Sequence, residues 1–312
     1  MKTQIILILS LLLVGELSLA QVLTRPFNIS KSAQQMQSES VSARNFFKSV
    51  TEEAAPRRLD LLQYQTPIRN QGQRGTCVAF ASMAFLESQL KVQTGRDSDL
   101  SEQYSYWASK AIDQIAPHQD GSIPLDFMKS LEKNGVPAEA AWPYESVGWF
   151  DDAKNHPDCK KVVLNNPDRL PTVCLTNGNA PAQAINAEKV RVVQAHRVPS
   201  APEAIMGFLQ AKVAVVIGAD VYEKAWSYSE KTSPGYLTGK ITMPGPGDKL
   251  IGGHAFLIVG YDMDQKVFLF KNSWGTDKWA SKATVPGYGT IPFDYIRKYG
   301  DALVAKLPAR PN

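Results

Sequence analysis

A cysteine, a histidine and an asparagine follow one another along this chain in contexts that suit acyl-transfer chemistry. Cys77 comes after the Gly-rich run QGQRGT and begins an apolar segment with helical periodicity. Since a helix N-terminus favours an anion, it would favour the thiolate form of this cysteine. His254 lies in the segment GGHAF, and Asn272 lies in the segment KNSWG. We therefore expect a nucleophile, a base and an amide that orients the base.

Each of these residues has a definite expected role. One ring nitrogen of His254 would face the Cys77 sulfur, and the other would donate to the Asn272 side-chain oxygen. Gln71, six residues before Cys77, would join the Cys77 backbone N–H in holding the oxyanion of a tetrahedral intermediate. Trp274 would cover the bond between His254 and Asn272 and exclude water from it. Taken singly, each residue has an ordinary structural explanation, so the prediction depends on the combined pattern.

The remaining cysteines predict a disulfide. The chain contains Cys77, Cys159 and Cys174, and in an oxidising compartment an odd thiol stands out. Cys159 and Cys174 lie fifteen residues apart and flank a loop that contains Pro and Asn. We expect them to pair, which would stabilise the loop by about 3 kcal/mol and leave Cys77 free. Two independent buried thiols are the alternative that the sequence leaves open.

Residues 1–20 have the features of a secretory signal peptide. Lys2 gives a positive start, an apolar run follows, and the tripeptide SLA provides small residues before a cleavage point. An uncleaved anchor is the alternative, disfavoured by the shortness of the apolar run. Residues 21–58 are polar and are interpreted as a leader or pro-segment, with plain disorder as the competing interpretation. We expect a secreted or periplasmic protein, with no membrane partner after signal cleavage.

The bulk composition excludes several classes of function. The chain has 312 residues and a formal net charge of +4, and its Lys and Arg residues form no cluster, so no nucleic-acid partner is expected. Its four histidines are dispersed and show no metal-ligand spacing with the free cysteine. We therefore expect no metal and no cofactor.

The apolar periodicity predicts helices first and strands later. A helical stripe runs from Ala79 to Leu90, with Thr76 as the expected N-cap and Gly95 as the expected stop. Further helices are expected at about 101–112, 124–133 and 201–212. Strands are expected at 190–193, 213–217, 255–259 and 266–270. Residues 145–181 show no sustained period and are interpreted as a loop, so the order of elements indicates an α+β fold in two lobes.

Several segments together resemble the papain-like cysteine peptidases, and the last of them is similar to bacterial, secreted members. They are GTCVAF with the preceding QG, LSEQ, GHA, VGY, KNSWG and GYGTIPFDY. The resemblance implies a papain-like two-lobed α+β fold, with the active-site cleft between a helical left lobe and a β-barrel-like right lobe. It implies a peptidase domain at 59–307, made of a helical lobe at about 59–145, a loop insertion at about 145–185 and a β-rich lobe at about 186–307.

The resemblance also assigns roles and marks departures. It implies that Cys77 is the nucleophile, His254 the acid and base, Asn272 the orienting amide and Gln71 the oxyanion donor. The first cysteine of the family motif is Arg74 here, so the family disulfide beside the active site is missing, and the Trp that follows the nucleophile is Val78. The Gly-Gly pair that binds substrate backbone appears as Asp120-Gly121-Ser122. We expect Gly121 and Trp274 to contact substrate.

The expected function is that of a secreted cysteine endopeptidase, a monomer that acts on a peptide or protein substrate. Cys77 would form a thioacyl-enzyme, His254 would act as acid and base, and Asn272 would orient it. A Cys-His amidase or transpeptidase acting on cell-wall or isopeptide bonds would use the same groups. An inactive papain-fold binding protein is a third hypothesis, which the intact set of residue types disfavours.

Overall fold

The computed structural model describes Lys31, residues 56–165 and residues 170–308 of the chain. The expected signal peptide and nearly all of the expected leader lie outside these residues. The helices are α1 Cys77–Thr94, α2 Glu102–Trp107, α3 Pro124–Asn134, α4 Pro157–Asn165, α5 Thr172–Leu175, α6 Ala182–Asn186, α7 Pro202–Gln210, α8 Pro234–Thr238 and α9 Phe293–Tyr299. The strands are β1 Arg58–Asp60, β2 Val193–Val198, β3 Val215–Tyr222, β4 Leu250–Asp262, β5 Val267–Lys271, β6 Tyr288–Pro292 and β7 Gly300–Lys306.

Helix α1 is the central helix and begins at Cys77 itself. Its first seven residues are all buried, because the apolar side chains surround the helix rather than lining one stripe. The helix ends where Gly95 adopts a left-handed conformation with φ of 69°, and the Gly95 N–H bonds to the Lys91 carbonyl. Thr76 precedes the helix as expected, but its side chain makes no cap hydrogen bond. The Thr76 hydroxyl instead pairs with the Tyr144 hydroxyl at 2.7 Å.

Helix α2 changes its winding before it ends. Ser101 caps its start, as predicted, by accepting a hydrogen bond from the Tyr104 N–H at 3.0 Å. After Trp107 the chain continues as a π-helical turn over Ala108–Ile112, closed by a bond from the Asp113 N–H to the Ala108 carbonyl. The side chain of Lys110 in this turn is fully buried. The widened turn therefore turns a charged side chain toward the protein interior.

The strands form one antiparallel sheet that follows the order β2-β7-β3-β4-β5-β6, with β1 paired to the far end of β4. The longest strand, β4, is buried over almost its whole length. The two ends of the order, β2 and β6, do not pair among the described strands, so the sheet is open rather than a closed barrel. The mixture of helices with an antiparallel sheet confirms the α+β class predicted from the sequence.

Helix α1 packs against β4, and this contact brings the two parts of the fold together. The register of the sheet places His254 opposite Ala219 of β3. The apolar side chains of both parts form one continuous buried core, which includes Phe85 of the helix and Phe256 of the strand. Since Cys77 lies at the start of α1 and His254 lies within β4, this packing sets their relative position.

The segment at 145–185 differs from the expected loop. It contains the short helices α4 and α5 and all but the last residue of α6, and Phe150, Leu170 and Leu175 form a small apolar cluster within it. A disulfide joins Cys159 to Cys174 with a Cα–Cα distance of 5.6 Å. The loop interpretation was wrong because helices of four to nine residues are too short to show a period.

Several strand boundaries also differ from the expected ones, and β2 and β3 show the cause. β2 begins at Val193, where residues 190–193 had been expected to form the strand, because Val190 instead makes an isolated bridge with Val136. β3 extends to Tyr222, five residues beyond the expected end, because residues 218–222 are paired along β4. Both differences arise from pairing with distant strands, which local periodicity does not contain.

Removal of the disulfide should destabilise the insertion. In the Cys159→Ser, Cys174→Ser double variant we expect the free energy of unfolding to fall by about 3 kcal/mol, because a fifteen-residue loop loses its closure. Thermal unfolding measures the effect, and Cys77→Ser serves as the control that removes a thiol without opening a loop. An unchanged melting temperature in the double variant would contradict the expected contribution.

Candidate active site

Cys77 is the first residue of α1, and its side chain is fully buried. The backbone of Ala255, with that of Val78 and of Cys77 itself, lies close enough to the sulfur to act on the pKa of the thiol, in the direction that lowers it. Ala255 directly follows His254 on β4, so the strand that carries the histidine contacts the thiol. The helix start and the strand thus meet at the sulfur atom.

The histidine has a defined tautomer. His254 Nε2 lies 2.7 Å from Asn272 Oδ1, and the Ser273 N–H donates to the same oxygen at 2.9 Å. Because the Ser273 N–H fixes that atom as the amide oxygen, Nε2 must be the donor. His254 Nδ1 is buried and has no hydrogen-bond partner, so it remains an acceptor. The ring therefore offers one basic nitrogen in the interior of the site.

Two tryptophans enclose the imidazole. The ring of Trp274 lies 4.6 Å from that of His254 at an angle of 33°. Trp226 stands perpendicular to the imidazole, with the ring centroids 5.8 Å apart. The Trp226 indole N–H donates to the Tyr295 hydroxyl at 2.9 Å, which holds it in place. Trp274 was identified from the sequence, whereas Trp226 was missed because it lies outside every motif.

Gln71 is fully buried beside this group. Its side-chain oxygen accepts from the Ser273 hydroxyl at 2.7 Å, and its amide nitrogen donates to the Arg74 carbonyl at 2.9 Å. One of the two amide hydrogens remains for another acceptor. The Tyr144 hydroxyl also bonds to the Gln71 carbonyl at 2.8 Å, so both the backbone and the side chain of Gln71 are fixed.

Arg74 stands where the family motif has a cysteine, and its side chain is fully buried. Its guanidinium donates to Gln103 Oε1 at 2.6 Å, to the Glu145 carbonyl at 2.7 Å and to the Leu175 carbonyl at 3.0 Å. The guanidinium also lies over the Tyr144 ring, 4.9 Å from its centroid. This residue therefore ties the turn before Cys77 to the insertion.

Gly121 was expected to contact substrate backbone, but its own polar groups are occupied within the protein. Its N–H bonds to Asp120 Oδ1 and to the Tyr106 hydroxyl, each at 3.0 Å. Its carbonyl accepts from Lys110 Nζ at 2.7 Å. The next residue, Ser122, has a buried hydroxyl without a hydrogen-bond partner. The structure thus leaves a polar group free at Ser122 rather than at Gly121.

Burial controls the protonation of the pair. Desolvation raises the pKa of the Cys77 thiol to about 12, and the charge of Asp120 acts in the same direction. Desolvation also lowers the pKa of His254 to about 4, against the opposing effect of the Asn272 hydrogen bond. Both groups are therefore neutral at pH 7 in this closed geometry. The sequence had indicated a thiolate, but here the burial of the sulfur outweighs the helix N-terminus.

A cavity of about 390 Å³ lies beside Trp274. Its lining combines polar and charged groups with two aromatic rings and an aliphatic side chain. The residues are Asn70, Gly72, Gln73, Lys231, Tyr236, Leu237, Trp274, Asp277 and Lys278. The cavity therefore adjoins the turn that carries Gln71 and offers space for a side chain next to the site.

Neither a metal site nor a membrane span is found in the described ranges. No three His, Cys, Asp or Glu side chains there come together as metal ligands do. None of the helices in the described part of the chain combines the length and the apolar character needed to cross a bilayer.

The neutral state of Cys77 and His254 predicts how the alkylation rate of Cys77 depends on pH. Below its pKa a thiol reacts in proportion to its thiolate fraction, so alkylation of Cys77 by iodoacetamide should keep accelerating beyond pH 9, the ordinary pKa of a cysteine. Intact mass against time at a series of pH values gives the rate, and Cys77→Ser gives the background. A rate that levels off below neutral pH would show an ionised pair instead.

Comparison with known proteins gives the family. The model of the papain family cysteine proteases matches residues 55–289. Mouse cathepsin K is 26% identical over 250 residues, which cover 78% of this chain and 61% of cathepsin K. Peptidase 1 of the mite Psoroptes ovis is 27% identical over 244 residues, covering 77% of this chain and 61% of that protein. The chain thus spans about three fifths of the length of the curated relatives it matches.

Solved structures agree with the family model. Xylellain, a cysteine protease from Xylella fastidiosa, superimposes with a TM-score of 0.64 at 25% identity, over 82% of this chain and 88% of xylellain. A cysteine protease of Carica candamarcensis in complex with E-64 gives a TM-score of 0.53 at 25% identity, over 81% of this chain and 100% of that one. Since the family model covers most of the chain, this protein belongs to the papain family of cysteine proteases.

Proposed function

We propose that this chain is a cysteine endopeptidase that cleaves peptide bonds through a thioacyl-enzyme at Cys77. The hydrogen bond from His254 Nε2 to Asn272 Oδ1 at 2.7 Å carries the proposal, because it leaves Nδ1 as a buried base without a partner. Ala255, the residue after His254, contacts the Cys77 sulfur, so the base and the thiol belong to one site. Family membership supports the same chemistry.

The first half of the proposed reaction forms the acyl-enzyme. The Cys77 thiol transfers its proton to His254 Nδ1 as the sulfur attacks the carbonyl carbon of the scissile peptide. The carbonyl oxygen becomes an oxyanion, which the Cys77 N–H and the remaining amide hydrogen of Gln71 stabilise. When the C–N bond breaks, the imidazolium returns the proton to the leaving amine.

The second half releases the product. His254 Nδ1 takes a proton from a water molecule, the resulting hydroxide attacks the thioester, and the C–S bond breaks. The proton returns to the sulfur, so the thiol and the neutral imidazole are restored. Asn272 keeps the ring orientation throughout, and Trp274 and Trp226 keep the Nε2 bond dry.

The neutral resting pair is compatible with this order of events. In the closed geometry the Cys77–His254 pair carries no charge, and it ionises only when the sulfur begins to bond to carbon or when water reaches it. The ion pair then replaces two neutral groups that burial had stabilised.

Substrate contacts follow from the same geometry. Gly121 remains the candidate contact for the substrate backbone, but its N–H is already bonded within the protein, so the substrate would have to use its carbonyl or displace one of these bonds. The side chain that follows the cleaved bond would enter the cavity of about 390 Å³ beside Trp274. The presence of both Lys231 and Asp277 around that cavity would admit polar side chains.

We further propose that the peptidase domain spans 59–307 and that the protein is exported, as the expected signal peptide at 1–20 indicates. The disulfide between Cys159 and Cys174 supports export, since such bonds persist in oxidising compartments. Residues 21–58 remain the candidate leader. A single chain is the proposed active form.

Loss of the thiol should abolish turnover. We expect Cys77→Ala to show no hydrolysis of casein or of a fluorogenic peptide, with a melting temperature close to that of the wild type. Ser82→Ala is a matched control, because Ser82 lies buried on the same helix and its hydroxyl has no partner. Turnover by Cys77→Ala would contradict the assignment, and activity on cell-wall peptide without activity on casein would favour an amidase.

Loss of the orienting amide should slow the reaction without stopping it. In Asn272→Ala we expect kcat to fall by about 10²-fold, the lower end of what general acid–base catalysis contributes. The loss should appear mainly in kcat, because Asn272 touches His254 rather than substrate. Steady-state kinetics on a fluorogenic peptide measures it, and a kcat equal to that of the wild type would remove Asn272 from the mechanism.

Loss of the Gln71 side chain, the proposed oxyanion donor, should also reduce kcat. We expect Gln71→Ala to reduce kcat by about 10²- to 10³-fold, as the loss of one oxyanion donor does in other acyl-transfer enzymes. The rate of iodoacetamide alkylation should change less than kcat, because that reaction forms no oxyanion. A parallel loss in both rates would point to a displaced Cys77 turn instead.

A further inference from the structure

The carboxylate of Asp120 joins two distant parts of the chain beside the thiol. Its Oδ2 accepts from the Gly75 N–H at 2.7 Å, and Gly75 lies two residues before Cys77. Its Oδ1 accepts from the Gly121 N–H at 3.0 Å. The two carboxylate oxygens therefore serve two backbone donors that are far apart in sequence.

The carboxylate is itself held from behind. The buried Tyr106 hydroxyl donates to Asp120 Oδ1 at 2.7 Å. Lys110, also buried, donates through Nζ to three backbone carbonyls that surround Asp120 in sequence. They belong to Ala116 at 2.9 Å, Gln119 at 2.7 Å and Gly121 at 2.7 Å. The loop that carries Asp120 is therefore anchored to α2 and its π-helical turn.

Gly75 shows how closely the carboxylate approaches. A β-carbon placed at Gly75 would lie 2.8 Å from Asp120 Cγ and 2.8 Å from the Gly121 nitrogen, so a side chain there would force the loop or the turn to move. The Asp120 side chain thus packs directly on the backbone of the turn. This contact needs a glycine at position 75 for reasons of space and not of backbone conformation.

The charged and titratable groups around Asp120 come from several elements. They are Cys77 from the turn, Tyr106 and Lys110 from α2 and its extension, Tyr144 just before the insertion and Asp151 within it. The Arg74 guanidinium is next to this group, 5.7 Å from the centroid of the Tyr106 ring. The charge of Asp120 favours the cationic form of Lys110, although burial lowers the pKa of this lysine to about 8. The same charge disfavours the thiolate of Cys77.

We propose that Asp120 is a positioning residue for the Cys77 thiol. Its carboxylate bridges the N–H groups of Gly75 and Gly121, and this bridge fixes the thiol by holding the turn before Cys77 against the loop at 116–122. The inference rests on the proposed role of Cys77 as the nucleophile. The turn lacks the cysteine that the family motif has at position 74, and the bridge supplies a polar connection at the neighbouring residue.

Asparagine cannot replace the carboxylate at this position. Both oxygens of Asp120 accept backbone N–H groups, whereas an amide has only one oxygen. Asp120→Asn therefore sets an NH₂ group against one N–H donor, and it removes the charge at nearly constant volume. The turn loses its fixed position, and the thiol loses a neighbouring negative charge.

The test measures the full chain in two ways. We expect kcat/KM of Asp120→Asn on a fluorogenic peptide to fall by about 10- to 100-fold, because a small displacement of the nucleophile has that effect. We expect alkylation of Cys77 by iodoacetamide at pH 8 to accelerate by about three- to tenfold, since a lower thiol pKa gives more thiolate. Thermal unfolding verifies that the variant is folded at the assay temperature.

Asp262→Asn is the matched control. Asp262 also accepts two backbone N–H groups, from Asp264 and Gln265 at 2.9 Å each, both at Oδ1, while its Oδ2 pairs with Arg58. It lies at the far end of β4 from His254 and therefore controls for the loss of a hydrogen-bonded carboxylate elsewhere in the fold. Both rates should stay within twofold of those of the wild type.

The Tyr106→Phe variant weakens the bridge without changing the charge of Asp120, so it distinguishes the two effects. It also serves as the test if Asp120→Asn does not fold. It removes the hydroxyl that holds Asp120 Oδ1 but keeps the carboxylate. We expect kcat/KM to fall while the alkylation rate at pH 8 stays within twofold of the wild-type rate.

The proposal is overturned if either Asp120→Asn rate stays within twofold of the wild-type value, or if Tyr106→Phe keeps full kcat/KM. A wild-type chain that cleaves no peptide would refute the proposed function. The alkylation rates would still decide whether Asp120 acts on Cys77, because they require no turnover.

Discussion

The packing of α1 against β4 is the contact on which the site depends. The helix is buried from its first residue, and the strand is buried along almost its whole length. Because close-packed apolar surfaces leave little freedom, the contact determines where the start of the helix meets the strand. Cys77 lies at that start, and the neighbour of His254 touches its sulfur. The catalytic pair is thus placed by the core, while the surrounding polar groups adjust its orientation and charge.

Polar networks surround this contact on both sides. On the His254 side, Ser273 links the Asn272 and Gln71 side chains, so one residue fixes two candidate catalytic amides. On the Cys77 side, Arg74 and Asp120 hold the turn by hydrogen bonds to distant segments. Buried groups of this kind are stable only when their partners are present, which makes each network a unit rather than a sum of separate bonds.

The sequence predicted the parts of the fold that local signals determine. The left-handed Gly95 and the Ser101 cap ended and began helices where expected, because both signals act within one turn. The helices of the insertion were missed, since they are short and held by a disulfide and a small cluster. The identities of Cys77, His254, Asn272 and Gln71 came from motifs. Arg74 could be noted only as a departure, because its partner Leu175 lies 101 positions away. The neutral state of the pair was also unexpected, because burial is a property of the folded chain.

The replacement of a cysteine by Arg74 has a consequence for the conditions under which such an enzyme works. A thiol nucleophile must be kept reduced, and reductants also open disulfides. In this chain the turn before Cys77 is held by a guanidinium and a carboxylate, which reductants do not affect. The disulfide lies instead in the insertion, where Cys174 directly precedes Leu175, whose carbonyl accepts a hydrogen bond from Arg74. The turn before Cys77 is thus held by no bond that a reductant breaks, but it is coupled to the redox state of the insertion through the hydrogen bond from Arg74 to the residue after Cys174.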